Sequence, residues 1–331
     1  MTIDQVCLYQ YQLPLRYPLP LKGTQLSMRK GFILELKSEG RYGYGEAAPL
    51  ADFSQESLSD AQSQLVKLSE RLVRGDETPG HSLFPSVQFA LESALWSLNQ
   101  TQWLSPPKQA PLLQGDTDDI VHRLQKWQGA WPAEFKLKIG RGTLSEDIER
   151  IYQVLQQLPE SVRLRLDANQ RWSYQQAIEV CGVLDSQRIA YIEEPTANPA
   201  EFSDIYRATG VAFALDETVQ HIDYQFQTME GLAALVIKPT LVGGLARCQQ
   251  LIKVAQSEGT RVVLSSAFES SVGIHILQQL SAHWLPDEWP GLDTKTAFHY
   301  PLTNSHIQPC QRLQLRADFI SWEYSAHTRL S

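Results

Sequence analysis

Cysteine is scarce in this chain. Four occur among 331 residues, Cys7, Cys181, Cys248 and Cys310, far apart and with no CxxC pair. That excludes a disulfide scaffold and points to unpaired thiols in a reducing compartment. Basic charge is also short: 29 Lys and Arg stand against 37 Asp and Glu, for a formal net charge of −8 and a pI near 5.5. Such a balance gives no electrostatic footprint for nucleic acid or for an anionic membrane. No apolar run approaches the ~20 residues of a membrane span. The opening MTIDQVCLYQYQL has no basic stretch followed by an apolar one, so no signal peptide is evident and a cytoplasmic location is expected. Internal repeats and low-complexity tracts are missing too.

What the chain does have is length and apolar residues. With 43% hydrophobic residues it supports a sizeable core. Its length can hold a parallel barrel of about 250 residues beside a domain of about 100. QVCLYQYQLPL and GFILELKSEGRYGYGEAAP read as strands, with Gly40 turning the second. Ser57 to Leu72 reads as a helix. A second helix puts Val87, Leu91, Ala94, Leu95 and Leu98 on one face. Pro106 and Pro107 mark a linker, after which strands alternate with helix-length segments, the pattern of a parallel sheet. After about Tyr300 the rhythm is lost. The expected division is an α+β domain at 1–104, a barrel at 105–300, and a segment at 301–331 that packs back on the first domain.

Six short apolar runs carry the chemistry: FKLKIG, VRLRLDAN, AYIEEP, FALDE, LVIKP and VVLSS. Each ends in a reactive or polar residue: Lys138, Asp167, Glu193, Asp216, Lys238 and Ser266. Successive ends lie roughly 20–30 positions apart, about one barrel βα unit. In a closed parallel barrel all strand C-termini meet at one face, so three carboxylates flanked by lysines come to one spot. Such carboxylates repel one another unless a cation sits among them, and an all-oxygen set suits a hard ion such as Mg²⁺. Strand alternation places Lys136 and Lys138 on one face, and Arg163, Arg165 and Asp167 on one face of the next strand. KxK alone is compatible with two surface lysines. Followed by three carboxylate strand ends, it reads as a base whose pKa is lowered by neighbouring charge. Asp167 alone is compatible with a helix cap. The pairs Glu193–Glu194 and Asp216–Glu217 leave open which member faces the shared site. Lys138 and Lys238, on strands two and six, would flank a substrate across the mouth.

These residues resemble the enolase superfamily, in the muconate-lactonizing-enzyme subgroup with KxK and an opposing lysine. The resemblance covers nearly the whole chain. It implies an α/β fold, a modified TIM barrel (β/α)₇β with an N-terminal α+β capping domain. It implies that Asp167, Glu193 and Asp216 hold one Mg²⁺, which Mn²⁺ would replace, that Lys138 is the base, and that Lys238 lies opposite. A lysine base beside Mg²⁺ is the arrangement known for this superfamily. GYGEAAPLADFSQES, SSAFESSVG and PGLDT are similar to strings of the proteobacterial o-succinylbenzoate synthase family. That likeness implies syn elimination of water from 2-succinyl-6-hydroxy-2,4-cyclohexadiene-1-carboxylate in menaquinone synthesis. Ser265 and Ser266 would lie near the succinyl chain, and Lys136, Arg165 and Asn169 would support the site. Cap loops including Gly23, Thr24 and Phe53 would close over it. The expected partner is thus a small-molecule carboxylate. N-acylamino acid racemase and dipeptide epimerase remain the alternatives, though Gly291 stands where the epimerases carry an amine-binding Asp. A non-catalytic carboxylate-binding relative is the reading of another class.

Overall fold

The computed structural model of the chain describes residues 2–20, 25–76 and 83–328. Gly23 and Thr24, two of the expected cap-loop residues, lie outside the described residues. The N-terminal part opens with three antiparallel strands, β1 (Gln5–Pro20), β2 (Gln25–Ser38) and β3 (Arg41–Ala47). The β2–β3 turn has Glu39 at φ 50° and Gly40 at φ 77°. Two positive φ angles are what a two-residue hairpin turn of matching twist needs, and glycine takes one without cost. Two helices cover this sheet, α1 (Leu58–Arg74) and α2 (Pro85–Leu98). Ser57 caps α1 in a reciprocal box with Asp60. Helix α2 lies directly on β3 because Gly45 has no side chain: a Cβ there would sit 2.0 Å from the Ala90 carbonyl oxygen. Val87, Leu91, Ala94 and Leu98 fill the core between them.

Seven parallel strands follow: β4 (Leu112–Leu113), β5 (Glu134–Lys138), β6 (Arg163–Asp167), β7 (Ile189–Glu193), β8 (Phe213–Leu215), β9 (Leu232–Ile237) and β10 (Arg261–Leu264). Helices α3 (Thr117–Gln125), α4 (Leu144–Gln157), α5 (Tyr174–Gly182) and α6 (Phe202–Thr209) connect the first five strands. After β8 a single 3₁₀ turn, Glu217–Gln220, stands in for a helix. α7 (Pro239–Val242) and α8 (Leu245–Ser257) follow β9, and α9 (Ser271–Trp284) follows β10. Residues 290–291 then take the eighth strand position. Gly291 N–H donates to the Leu264 carbonyl (2.8 Å), and Ala110 N–H donates to the Pro290 carbonyl (3.2 Å), so the ring closes between β10 and β4. The expected (β/α)₇β barrel is therefore present. The final strand, β11 (Ile320–His327), pairs antiparallel with β1. No helix among the described residues is long and apolar enough to cross a membrane.

The barrel floor is ionic. Glu134, the first residue of β5, accepts from Arg163 (2.8 Å), Arg165 (2.6 Å) and Arg261 (2.8 Å). Glu288 also accepts from Arg165 (3.0 Å) and Arg261 (2.8 Å). Arg165 is thereby spent on the floor. It shares a strand face with Asp167 but lies two residues, roughly 6–7 Å, below it. Its place is a supporting one, holding the barrel from beneath. Burial would raise the Glu134 carboxyl, yet Arg261 and Arg165 hold it down at about 2. A depressed carboxyl contributes stability that is complete above its ordinary value of 4.5 and is lost as pH falls toward about 2. Glu134→Ala should therefore cost about 3–5 kcal/mol near neutral pH, by leaving buried guanidinium charge unpaired. The difference from wild type should shrink as pH drops through that window. Urea unfolding across pH checks both statements.

Candidate active site

Strand ends deliver the polar residues to one place. Lys138, Asp167 and Glu193 are the last residues of β5, β6 and β7. Asp216, Lys238 and Ser265 immediately follow β8, β9 and β10. The register is parallel and unbroken at this end, with Lys138 opposite Asp167 and Asp167 opposite Glu193. Asp167, Glu193 and Asp216 are buried, and each offers an oxygen within 4.8 Å of the others. Their sequence neighbours take other partners, Glu217 while still close enough to Asp216 and Lys238 to interact with their charges. Glu194 sits at φ 42° and accepts from the backbone N–H groups of Asp216 (2.9 Å) and Thr218 (2.9 Å). Glu217 accepts from the Asn169 amide (3.0 Å). Asp167 is not a helix cap, since Ser173 caps α5.

Three lysines meet the three carboxylates. Lys136 pairs with Asp167 (2.8 Å) and with Glu193. Lys138 reaches Asp167 (2.5 Å) and the Asn169 side-chain oxygen (3.0 Å). Lys238 pairs with Asp216 (2.5 Å). The lysines differ in one respect. Burial pushes all three toward the neutral amine, but Asp167, Glu193 and Asp216 together raise Lys136 well above its ordinary value, and Asp216 with Glu217 raises Lys238. Only Lys138 ends lowered. Burial lowers it first, Asp167 opposes, and the charges of Lys136 and Lys238 lower it further.

The donor set fits a hard divalent cation. Burial raises the Glu193 carboxyl to about 8, against Lys136, and the charges on Asp167 and Asp216 add to the rise. Three dry carboxylates this close thus call for more positive charge than the lysines supply. All donors are oxygens, the preference of Mg²⁺. Gln220 donates to Asp216 (3.1 Å) and orients one of them.

A cavity opens above this cluster, lined by Lys136, Lys138, Asn169, Lys238, Ser265, Ser266 and Phe53, all expected at the site. The serine hydroxyls are already engaged: Ser265 donates to the Gly291 carbonyl (3.2 Å), and Ser266 pairs with Thr294 (2.9 Å). Both therefore also close the barrel seam. Asp293 lines the cavity but accepts from Leu112 N–H (3.0 Å), so its carboxylate belongs to the seam as well. Sequence reasoning missed Gln114, Arg141, Leu50, Leu241 and Phe268. Arg141 had a signal, its place three residues past Lys138 in a βα loop. The apolar wall residues had none.

Comparisons with known proteins give the family and the fold. A family model described as "Enolase C-terminal domain-like" matches residues 119–310, and one described as "MenC, N-terminal domain" matches residues 3–98. The chain is 40% identical to o-succinylbenzoate synthase of Yersinia enterocolitica over 292 residues, 87% of this chain and 89% of that protein. A solved o-succinylbenzoate synthase from Thermosynechococcus elongatus, with Mg in its active site, superposes with TM-score 0.72 at 24% identity, over 90% of this chain and 95% of that one. An N-succinyl Arg/Lys racemase from Bacillus cereus superposes with TM-score 0.78 at 18% identity, over 99% of this chain and 100% of that one. The two solved structures speak for the fold.

Calorimetric titration with Mg²⁺ should show one binding site. Asp216→Asn should weaken it by at least roughly tenfold, since loss of even an outer-shell partner costs metal sites 10–100-fold. Unchanged affinity in Asp216→Asn would remove that residue from the ligand set.

Proposed function

The chain belongs to the o-succinylbenzoate synthase family of the enolase superfamily, and from that premise we propose that it converts 2-succinyl-6-hydroxy-2,4-cyclohexadiene-1-carboxylate to 2-succinylbenzoate, as a Mg²⁺-dependent dehydratase of menaquinone biosynthesis. In this reading Asp167, Glu193 and Asp216 would hold the ion, with Mn²⁺ a working substitute. Bound there, Mg²⁺ would supply Lewis-acid stabilisation for charge gathering on the substrate carboxylate. In this reading the cap takes residues 1–104, the barrel 105–300, and the segment 301–331 returns to the cap through β11, which pairs with β1. The enzyme works in the cytoplasm on a small-molecule carboxylate.

The observation that carries the mechanism is the asymmetry among the lysines. A proton next to a carboxylate is weakly acidic, so its acceptor must be a neutral amine near neutral pH. Lys138 is the lysine held below its ordinary value. It takes the α-proton and becomes an ammonium. It then gives that proton to the departing hydroxyl on the same face, so that water leaves and the amine is restored. Lys238, paired with Asp216 and raised, stays charged and faces the developing enediolate. Lys136 stays charged beneath and keeps Lys138 low. Asn169 fixes the Lys138 amine by accepting its hydrogen bond.

Two outcomes follow. Purified protein with Mg²⁺ should convert the cyclohexadiene carboxylate with kcat within about 1–10³ s⁻¹. N-succinyl amino acids in D₂O should exchange their α-proton and racemise more slowly by kcat/KM. A faster racemisation would make the racemase reading the main function. Lys136→Ala should move the onset of the pH–rate profile, its acid-side rise, upward, because removing its charge lets the Lys138 pKa rise. An onset that stays in place would show that Lys136 does not tune the base.

A further inference from the structure

Arg29 on β2 is 2% exposed and has no carboxylate within ion-pair distance among the described residues. Its N–H donors are met by five backbone carbonyls, and the Glu269 carboxylate lies close enough to interact with its charge. Nε donates to Phe268 (3.0 Å), Nη1 to Lys30 (3.1 Å) and Pro49 (2.7 Å), and Nη2 to Ala48 and to Ala267 (3.3 Å). A guanidinium has five N–H donors in one plane, and here every one has an acceptor. Two acceptors belong to the cap segment after β3, and two to the segment after β10.

Those two segments wall the cavity. Leu50 and Phe53 follow the first pair of carbonyls, and Ala267 and Phe268 carry the second pair. The side chains of Leu50, Phe53 and Ala267 meet in an apolar cluster with Leu241, and Phe268 packs against the main core. Phe268 sits at φ 59°, a left-handed conformation disfavoured for so large a side chain, so the backbone there needs holding. Beside it, Glu46 accepts from Ser270 N–H (2.8 Å), Gly273 N–H (2.8 Å) and Tyr11 OH (2.6 Å), which joins the cap to the start of α9. Glu269 accepts from Ala267 N–H (2.8 Å) and shapes the same turn.

We propose that Arg29 is a positioning residue for the reaction: its planar fork fixes the cap segment 48–53 against the barrel segment 265–270, so that the apolar wall of the cavity has one shape. It touches neither substrate nor metal. It acts on binding of the substrate ring and not on the metal cluster, whose ligands lie on β6, β7 and the end of β8. Lysine cannot replace it, having three donors, none in a fixed plane.

The test is Arg29→Lys. Mg²⁺ affinity should stay within about twofold of wild type and kcat within about threefold, while KM for the cyclohexadiene carboxylate rises at least about tenfold, the pattern of lost uniform binding. A folded variant with unchanged KM would overturn the proposal. So would equal losses in KM, kcat and Mg²⁺ affinity, since that marks general loosening. A second measurement needs no variant. In wild type with o-succinylbenzoate bound, amide exchange in segments 48–54 and 265–270 should slow together. Slowing in only one segment would overturn the coupling. The kinetic arm rests on the dehydratase reading. A wild-type protein without turnover would sink that reading and leave the exchange arm to decide about Arg29.

Discussion

Three carboxylates and three lysines share one buried pocket at the mouth of the barrel, and the rest of the molecule is arranged around that crowding. Asp167, Glu193 and Asp216 cannot sit so close without compensating charge. Lys136, Lys138 and Lys238 supply part of it through direct contacts. The barrel is the means of holding them there. Each comes from the end of a different strand, and parallel register places those ends side by side. The same crowding sorts the lysines by role. The two most surrounded by negative charge stay protonated, and the one most exposed to their positive charge is lowered. In the proposed mechanism a base and a fixed cation thus arise from one cluster, without any residue chemically different from its neighbours.

The second constraint is the seam between cap and barrel. The strings GYGEAAPLADFSQES and SSAFESSVG are far apart in the chain, yet they are the two sides of one joint. Glu46 from the first binds the backbone of Ser270 and Gly273 from the second. Arg29 binds carbonyls from both. Glu56, at the end of the first string, accepts from Ser86 N–H and anchors the start of α2. The residues that made these strings recognisable are thus mainly hydrogen-bonding partners of backbone, buried where two domains close over a cavity.

Much of the barrel and its cluster was legible because chemistry falls at strand ends, and strand ends can be read from short apolar runs spaced by a helix. What alternation could not give was depth and direction at the ends. Arg165 and Asp167 share a face, but one serves the floor and the other the mouth. Glu193 and Glu194 are adjacent, and only the positive φ at Glu194 decides that Glu193 stays with the cluster. Ser265 and Ser266 line the cavity, while their bonds across the seam depend on residues 291 and 294, outside any local pattern. Arg29 was illegible for a related reason. Four of its acceptors are carbonyls distant in sequence, and a carbonyl carries no residue identity.

The central claim is that Lys138 is the base in a pocket whose other charges stay fixed. Single-turnover dehydration by Mg²⁺-loaded Lys138→Ala tests it most directly. The account predicts Mg²⁺ and product affinities within about threefold of wild type, with the chemical step slowed by roughly 10⁴-fold or more, at or beyond the upper end for loss of a general base. A chemical step within about tenfold of wild type would contradict it, and would move the proton transfer to another residue of the pocket.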